Sequence, residues 1–320
     1  MSEIGHREVK AFAAERVNLP KEIADKHRAQ VSALRDRLER KVDDDPSFDL
    51  VKMLHAGSVA KGTALRTVND LDLAVYVKAG SAPKQDAQLQ PWLADRLIEA
   101  NPKMDESQFI PQDHCVKVSF KGSGLDVDVV PVLYEGAAND CGYLVRKHTG
   151  DRVLTSIPMH LEFIRTRKNT YGDDFKQLIR LVKWWKRMEL QQDAEFRFKS
   201  FMIELLWAHL ADHGAVLNDY PEAMEEFFTF IVKGGLSKRI AFTDYYSASE
   251  LPSPTRAAIE ILDPVNPKNN VAVKYEVADC QRIIEAAHRA LDALGEARYA
   301  TTNGDELDCW QQVLGQSFKG

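Results

Sequence analysis

A chain of 320 residues is about twice the usual length of one domain, which predicts two domains or one large two-lobed unit. Its hydrophobic fraction of 44% and charged fraction of 28% are typical of a globular protein and exclude a disordered tail, a fibrous repeat and a collagen. The formal net charge of −6 argues against a protein that coats nucleic acid.

The first half of the chain mixes helix and strand patterns. After Pro20, the residues Val31, Leu34 and Leu38 recur at helical spacing and predict a long helix over residues 21–42. Alternating apolar residues predict a strand at 69–77, and Pro91 suits the first turn of a helix at 90–100. A glycine-containing turn between two further strand patterns predicts a hairpin formed by residues 115–120 and 125–133.

The second half of the chain is dominated by helical patterns. The clearest are at residues 174–189, 199–213 and 277–294, and strand signals are few there. We therefore predict an N-terminal lobe over residues 1–155, which includes the first helices, and a helical lobe over residues 156–320. Residues 146–199 hold thirteen basic and seven acidic residues in an otherwise acidic chain. This block indicates either a local anionic ligand or a solvated helix face.

Nothing in the sequence indicates secretion or a membrane. The apolar stretches fall short of the roughly 18 residues that a membrane span needs, and the charged N-terminal residues do not form a signal peptide. The four cysteines lie far apart without a CxxC pair, which argues against a disulfide framework and a zinc site. We therefore expect a reduced, cytoplasmic protein without a membrane partner.

The residues that carry chemistry begin with a Gly-Ser turn. Gly57 and Ser58 offer backbone N–H groups and a hydroxyl that together can cradle a phosphate. Twelve residues after Ser58, Asp70 and Asp72 occupy positions i and i+2 of a predicted strand, so both carboxylates face one side. Carboxylate oxygens are hard ligands, and the ion expected with them and with substrate phosphates is Mg²⁺.

A third carboxylate is expected from a neighbouring strand. Asp126 and Asp128 both alternate with apolar residues, so both are candidates. Three carboxylates on adjacent strands repel one another unless a cation lies between them. A two-metal site for phosphoryl transfer resolves that repulsion.

These residues resemble a known family. Gly57-Ser58, the Asp70-x-Asp72 pair and the segment Asp128-Val-Val-Pro131 are similar to motifs of the polymerase-β-like nucleotidyltransferases. Residues 178–185 and 263–271 resemble segments of the oligoadenylate synthetases, and residues 17–20 with 57–66 resemble the bacterial CD-NTases. These are the cGAS/DncV-like enzymes of anti-phage CBASS systems, and clade C is the most similar group. The resemblance implies a two-lobed α+β fold, in which a mixed β-sheet lobe with a long N-terminal helix joins a helical lobe.

The resemblance also implies roles for individual residues. Asp70, Asp72 and Asp128 would be catalytic and would bind two Mg²⁺ ions, with Mn²⁺ as the alternative. The phosphates and the nucleotide would be contacted by residues from both lobes, namely Gly57, Ser58, Lys183, Ser200 and Asn269. Lys183 in particular would neutralise the triphosphate.

The implied activity is synthesis of a cyclic oligonucleotide second messenger from NTPs in anti-phage defence. The resemblance favours ATP as substrate, an adenine-rich cyclic trinucleotide as product and a HORMA-domain protein as activator, with DNA as a further candidate activator. Three alternatives stay open at this point. They are an adenylyltransferase that acts on RNA, a small molecule or a protein; a linear oligoadenylate synthase; and an inactive nucleotide-binding or scaffold protein. The intact set of Asp70, Asp72 and Asp128 argues against the last.

Overall fold

The protein, for which we have a computed structural model, is described here over residues 3–45, 48–68 and 70–320. The chain divides into two compact units. One is Leu19–Glu162, and the other combines residues 3–18 with Phe163–Gly320. In the described residues, no helix is both long and apolar enough to cross a bilayer.

The first unit is built on a mixed β-sheet. In the described residues the sheet has seven strands, and five of them follow the order β1-β2-β5-β4-β3. Strand β6 pairs with β5, and β7 pairs with β6. The strands β2 and β5 are parallel, and the other pairs are antiparallel. The strands are β1 Leu50–Ala56, β2 Asp70–Lys78, β3 Phe109–Pro111, β4 Val116–Phe120, β5 Leu125–Tyr134, β6 Gly142–Val145 and β7 Arg152–Thr155.

The α-helices alternate with these strands early in the chain and dominate it later. A π-helical turn, Ala13–Val17, follows the first of them. The helices are α1 His6–Phe12, α2 Lys21–Asp44, α3 Gly57–Lys61, α4 Leu89–Ala100, α5 Ile157–Tyr171, α6 Asp173–Gln192, α7 Ser200–Asp212, α8 Tyr220–Val232, α9 Val277–Tyr299 and α10 Asn303–Leu314.

The core of the sheet unit lies against one face of β2. The apolar residues Leu71, Leu73, Val75 and Val77 are buried together with the apolar stripe of α2. Alternation along a strand sends the residues between them, beginning with Asp70 and Asp72, to the opposite face. This arrangement confirms the predicted helix over 21–42, the predicted strand and the predicted separation of its faces. The strand prediction also included Asn69, which lies outside the described residues.

The first helix groups with the helical unit, whereas the sequence analysis predicted it in the N-terminal lobe. On α1, Val9 and Phe12 are buried. The Phe12 ring packs edge-on against Trp184 at 5.8 Å and against Phe318 at 5.1 Å between centroids. Both partners lie more than 150 residues away in the sequence. No local pattern could therefore have assigned α1 to the helical unit.

A half-buried histidine makes the stability of the helical unit depend on pH. His209 of α7 packs beside the rings of His213 and Phe230, and burial lowers the pKa of His209 to about 4. Its ordinary pKa is near 6.5, so as the pH falls the unfolded chain takes up this proton before the folded chain does. The contribution of His209 to the free energy of unfolding is therefore fully present above about pH 6.5 and is lost as the pH falls towards 4.

Replacing this histidine tests the expected pH dependence. His209→Gln should remove a slope of at most about 1.4 kcal/mol per pH unit from the free energy of unfolding between pH 6.5 and 4.5. Urea denaturation at several pH values measures the slope. The exposed His288, replaced by Gln, is the control and should leave the slope as in the parent. An unchanged slope in His209→Gln would contradict the expectation.

Candidate active site

Strand register gathers four carboxylates on one face of the sheet. In the parallel pairing of β2 with β5, Asp70 lies opposite Asp126, and Asp72 lies opposite Asp128. Residues paired across neighbouring strands share a face, so all four acids lie on the side away from the apolar core. The prediction that a neighbouring strand supplies acids to the same face is therefore confirmed.

Contacts distinguish the two acids of β5. Both carboxylate oxygens of Asp126 have partners, because Lys117 Nζ lies 2.7 Å from Oδ2 and the Ser119 hydroxyl donates to Oδ1 at 2.7 Å. The hydrogen bond from Lys117 lowers the pKa of Asp126. Burial raises the pKa of Asp128, and the negative charge of Asp70 adds to that increase. These surroundings support Asp128 as the third metal ligand, a role that stays a prediction.

The Gly-Ser turn lies directly beside these acids. Ala56, the last residue of β1, pairs with Asp72, so the chain turns into α3 at the carboxylate. Gly57 has a φ of +64°, and a Cβ built on it would lie 1.6 Å from Asp72 Oδ2. The carboxylate of Asp72 thus occupies the space that any side chain at residue 57 would need. Ser58, the next residue, is partly exposed.

Because Asp72 lies so close to Gly57, we expect a methyl group added at residue 57 to reduce activity strongly. Gly57→Ala must displace the Asp72 side chain, so we expect at least a tenfold loss of nucleotide incorporation, about 1.4 kcal/mol or more. Gly124→Ala is the matched control, because its φ is +69° and a Cβ there meets nothing within 4 Å. In both variants an alanine takes a left-handed backbone conformation, which lowers stability by a similar amount. Only Gly57→Ala should lose activity. Equal activities in the two variants would refute the importance of the contact.

Lys183 has surroundings that differ from the predicted ones. On α6, its Nζ lies 2.6 Å from Glu204 Oε1 of α7, and the two side chains are only 4% and 3% exposed. The prediction treated Lys183 as a cation available to a triphosphate. The structure places it in a buried ion pair within the helical unit. A contact of Lys183 with the triphosphate stays a prediction.

A second lysine of the same helix was missed by the sequence analysis. Lys186 Nζ lies 3.4 Å from the hydroxyl of Ser200, the first residue of α7. Burial lowers the pKa of Lys186, and the nearby charge of Lys183 adds to the effect. Lys186 follows Lys183 at a spacing of three, which places the two lysines near each other on a helix. This spacing is the sequence signal that could have identified Lys186.

The segment around Asn269 uses its amides to fold itself. Asn269 Nδ2 donates to Asp263 Oδ2 at 3.1 Å. The Asn270 side chain accepts from the backbone N–H groups of Ile261 and Ala272 and donates to the Ile259 carbonyl. These contacts give both amides a structural role. A contact of Asn269 with a nucleotide stays a prediction.

The acidic face fits divalent ions by the chemistry of its donors. In the described residues, no three His, Cys, Asp or Glu side chains already converge as a metal-binding cluster. The backbone positions nevertheless suit one, since Asp72 and Asp128 are register partners on strands about 4.8 Å apart. Asp70, Asp72 and Asp128 therefore stay our predicted ligands for shared ions.

Known proteins are similar to this chain over its whole length. A cyclic AMP-AMP-AMP synthase of Escherichia coli (strain MS 115-1) is 45% identical over 317 residues, which are 99% of this chain and 98% of that protein. The solved structure of E. coli MS115-1 CdnC with ATP has a TM-score of 0.92 and covers 99% of both chains. The Vibrio cholerae DncV cyclic AMP-GMP synthase shares the fold, with a TM-score of 0.72 at 13% identity over 98% of this chain and 97% of that one. No family model matches the sequence.

The mixed sheet and the similarity to CdnC at 45% identity define a polymerase-β-like nucleotidyltransferase. With a relative of 45% identity over the whole length, the chain belongs to the CD-NTases, the oligonucleotide cyclases of CBASS anti-phage defence. The predicted family, fold class and enzymatic activity, synthesis of a cyclic oligonucleotide, are thereby confirmed. Nucleotidyltransferases of this family use divalent metal ions.

Proposed function

We propose that this enzyme converts ATP into a cyclic triadenylate with two Mg²⁺ ions, and that a HORMA-domain protein activates it. The single observation that supports the product is the whole-length identity of 45% to a cyclic AMP-AMP-AMP synthase. A CdnC of equal identity has been solved with ATP and also in a CdnC:HORMA complex. The adenine preference rests on this likeness.

The acidic face supplies the chemistry of nucleotidyl transfer. Ions held by Asp70, Asp72 and Asp128 would lower the pKa of the attacking ribose hydroxyl and stabilise the departing pyrophosphate. Asp128 stands opposite Asp72 and would hold an ion together with it. The absence of a side chain at Gly57 leaves room for the Asp72 carboxylate beside the Gly-Ser turn.

Lys186 and Ser200 are our candidates for contacts to the triphosphate in the helical unit. Their side chains lie within 3.4 Å of each other at the start of α7. A lysine ammonium beside a phosphate makes a charge-assisted contact that stabilises both groups. The ammonium group of Lys183 is paired with Glu204. We therefore expect Lys186→Met to weaken binding of a non-hydrolysable ATP analogue more than a substitution of Lys183 that preserves the fold.

A product assay tests the proposed function. The purified protein is incubated with Mg²⁺ and either ATP alone or all four NTPs, with and without the HORMA-domain protein. Products are treated with phosphatase and identified by mass spectrometry. A phosphatase-resistant cyclic triadenylate from ATP alone, made faster with the partner, is the expected result. A ladder of phosphatase-sensitive linear products under every condition would overturn the proposal, and duplex DNA added to the same assay tests the predicted DNA activator.

The two acids of β5 should differ sharply in this assay. Asp128→Asn is expected to abolish incorporation, because the third metal ligand is lost. Asp126→Asn should keep most of the turnover rate at saturating substrate, because its carboxylate is held by Lys117 and Ser119. Steady-state rates decide between them. An inactive Asp126→Asn beside an active Asp128→Asn would contradict the assignment.

A further inference from the structure

A lysine stands on the acidic face at the far side of the candidate metal ligands. Lys117 of β4 pairs directly with Asp128 of β5, and Ser119 pairs with Asp126. The strand order β1-β2-β5-β4 places the Gly-Ser turn and Lys117 on opposite sides of the acids. With strands about 4.8 Å apart, β4 lies about 5 Å beyond β5 and about 10 Å beyond β2.

The lysine is held in place and still reaches solvent. Its Nζ lies 2.7 Å from Asp126 Oδ2, and the Ser119 hydroxyl holds the other oxygen of that carboxylate. The Lys117 and Asp126 side chains are 32% and 24% exposed. An ammonium group has three donors, so an ion pair with one carboxylate oxygen leaves it able to bind a second anion.

The order of strands separates the two substrates of the reaction. A nucleoside triphosphate held at the Gly-Ser turn occupies the side of β1 and β2. The acceptor hydroxyl must approach the α-phosphorus from the opposite direction, in line with the departing pyrophosphate, and β5 and β4 lie on that side. After the first addition the acceptor is a linear dinucleotide, which carries a negative charge on its internucleotide phosphate.

We propose that Lys117 binds the internucleotide phosphate of the linear acceptor, and that Asp126 and Ser119 position the Lys117 ammonium for this contact. The inference rests on the proposed function, because it presumes an oligonucleotide acceptor. It gives Asp126 a task that is separate from metal binding. The positive charge of Lys117 also offsets part of the repulsion among the acids.

Binding of a defined probe tests the contact without turnover. The probe is 5′-phosphorylated diadenylate with a fluorescent label, and the control probe has an uncharged methylphosphonate linkage in place of the phosphodiester. Lys117→Met should weaken binding of the charged probe about tenfold or more, the effect of one lost charge-assisted contact. It should leave the methylphosphonate probe and a non-hydrolysable ATP analogue within twofold of the parent. Lys117→Arg should restore most of the affinity for the charged probe.

Kinetics provide the second readout. With the 5′-triphosphorylated dinucleotide as acceptor and saturating ATP, Lys117→Met should raise the acceptor KM and change kcat little. Asp126→Asn should raise the same KM less, and the double variant should be no worse than Lys117→Met, because Asp126 acts through Lys117. Thermal melts of all variants confirm that the fold is retained.

These experiments separate failure of the Lys117 inference from failure of the proposed function. Equal affinity of parent and Lys117→Met for the charged probe overturns the inference, as does an equal loss for the charged and uncharged probes. Failure of the parent to bind the charged probe overturns it as well. Failure of the parent to make a cyclic product from ATP overturns the proposed function instead, and the binding result stands apart from it.

Discussion

Asp70→Asn and Asp72→Asn are each expected to abolish nucleotide incorporation and to leave the melting temperature nearly unchanged. Both carboxylates lie on the face away from the apolar core, and Asp70 is exposed. An amide keeps the shape of the side chain but removes the charge that a divalent ion requires. Loss of one charge from an acidic cluster also reduces repulsion, so any change in stability should be small and positive.

Activity and stability are measured on the same preparations. Incorporation of labelled ATP in the presence of Mg²⁺ gives the rate, and differential scanning fluorimetry gives the melting temperature. Asp36→Asn, at an exposed position of α2, is the matched control and should behave as the parent. If either active-site variant retains more than a few per cent of the parent rate, the assignment of that residue as a metal ligand fails.

Lys183→Ala is expected to destabilise the protein strongly. The lysine and Glu204 are both almost completely buried, at a separation of 2.6 Å. Removing one partner of a buried ion pair costs about 3–5 kcal/mol. Lys168→Ala is the control, because its ion pair with Asp173 is exposed and should contribute at most about 1 kcal/mol. Urea denaturation measures both effects, and a Lys183→Ala protein as stable as the parent would refute the structural role.

A paired variant separates stability from phosphate binding at Lys183. Lys183→Met combined with Glu204→Leu replaces the ion pair by apolar groups of similar size, which should recover most of the lost stability. A non-hydrolysable ATP analogue is then titrated into the double variant. Affinity equal to that of the parent would show that the lysine serves the fold. A loss of about ten- to a hundredfold would return it to the predicted role at the triphosphate.

The sequence by itself determined the parts of the molecule that depend on local periodicity. The long helix α2, the two faces of β2 and the hairpin of β4 with β5 were all predictable. In each, apolar residues recur with the period of the element over enough residues to exclude the alternative. The Asp70 and Asp72 pair was predictable for the same reason, and the Gly57-Ser58 turn was predictable from its residue types. With the family resemblance they indicated nucleotidyl transfer.

Tertiary structure decided what depends on contacts between distant residues. The contacts that distinguish Asp126 from Asp128 depend on Lys117 and Ser119, which a neighbouring strand supplies. The burial of Lys183 required Glu204, and the assignment of α1 to the helical unit required partners more than 150 residues away. The short strands β6 and β7, of four residues each, are too brief to show a period. Periodicity records which side of an element is buried, and only the folded chain specifies which charge each side chain meets there.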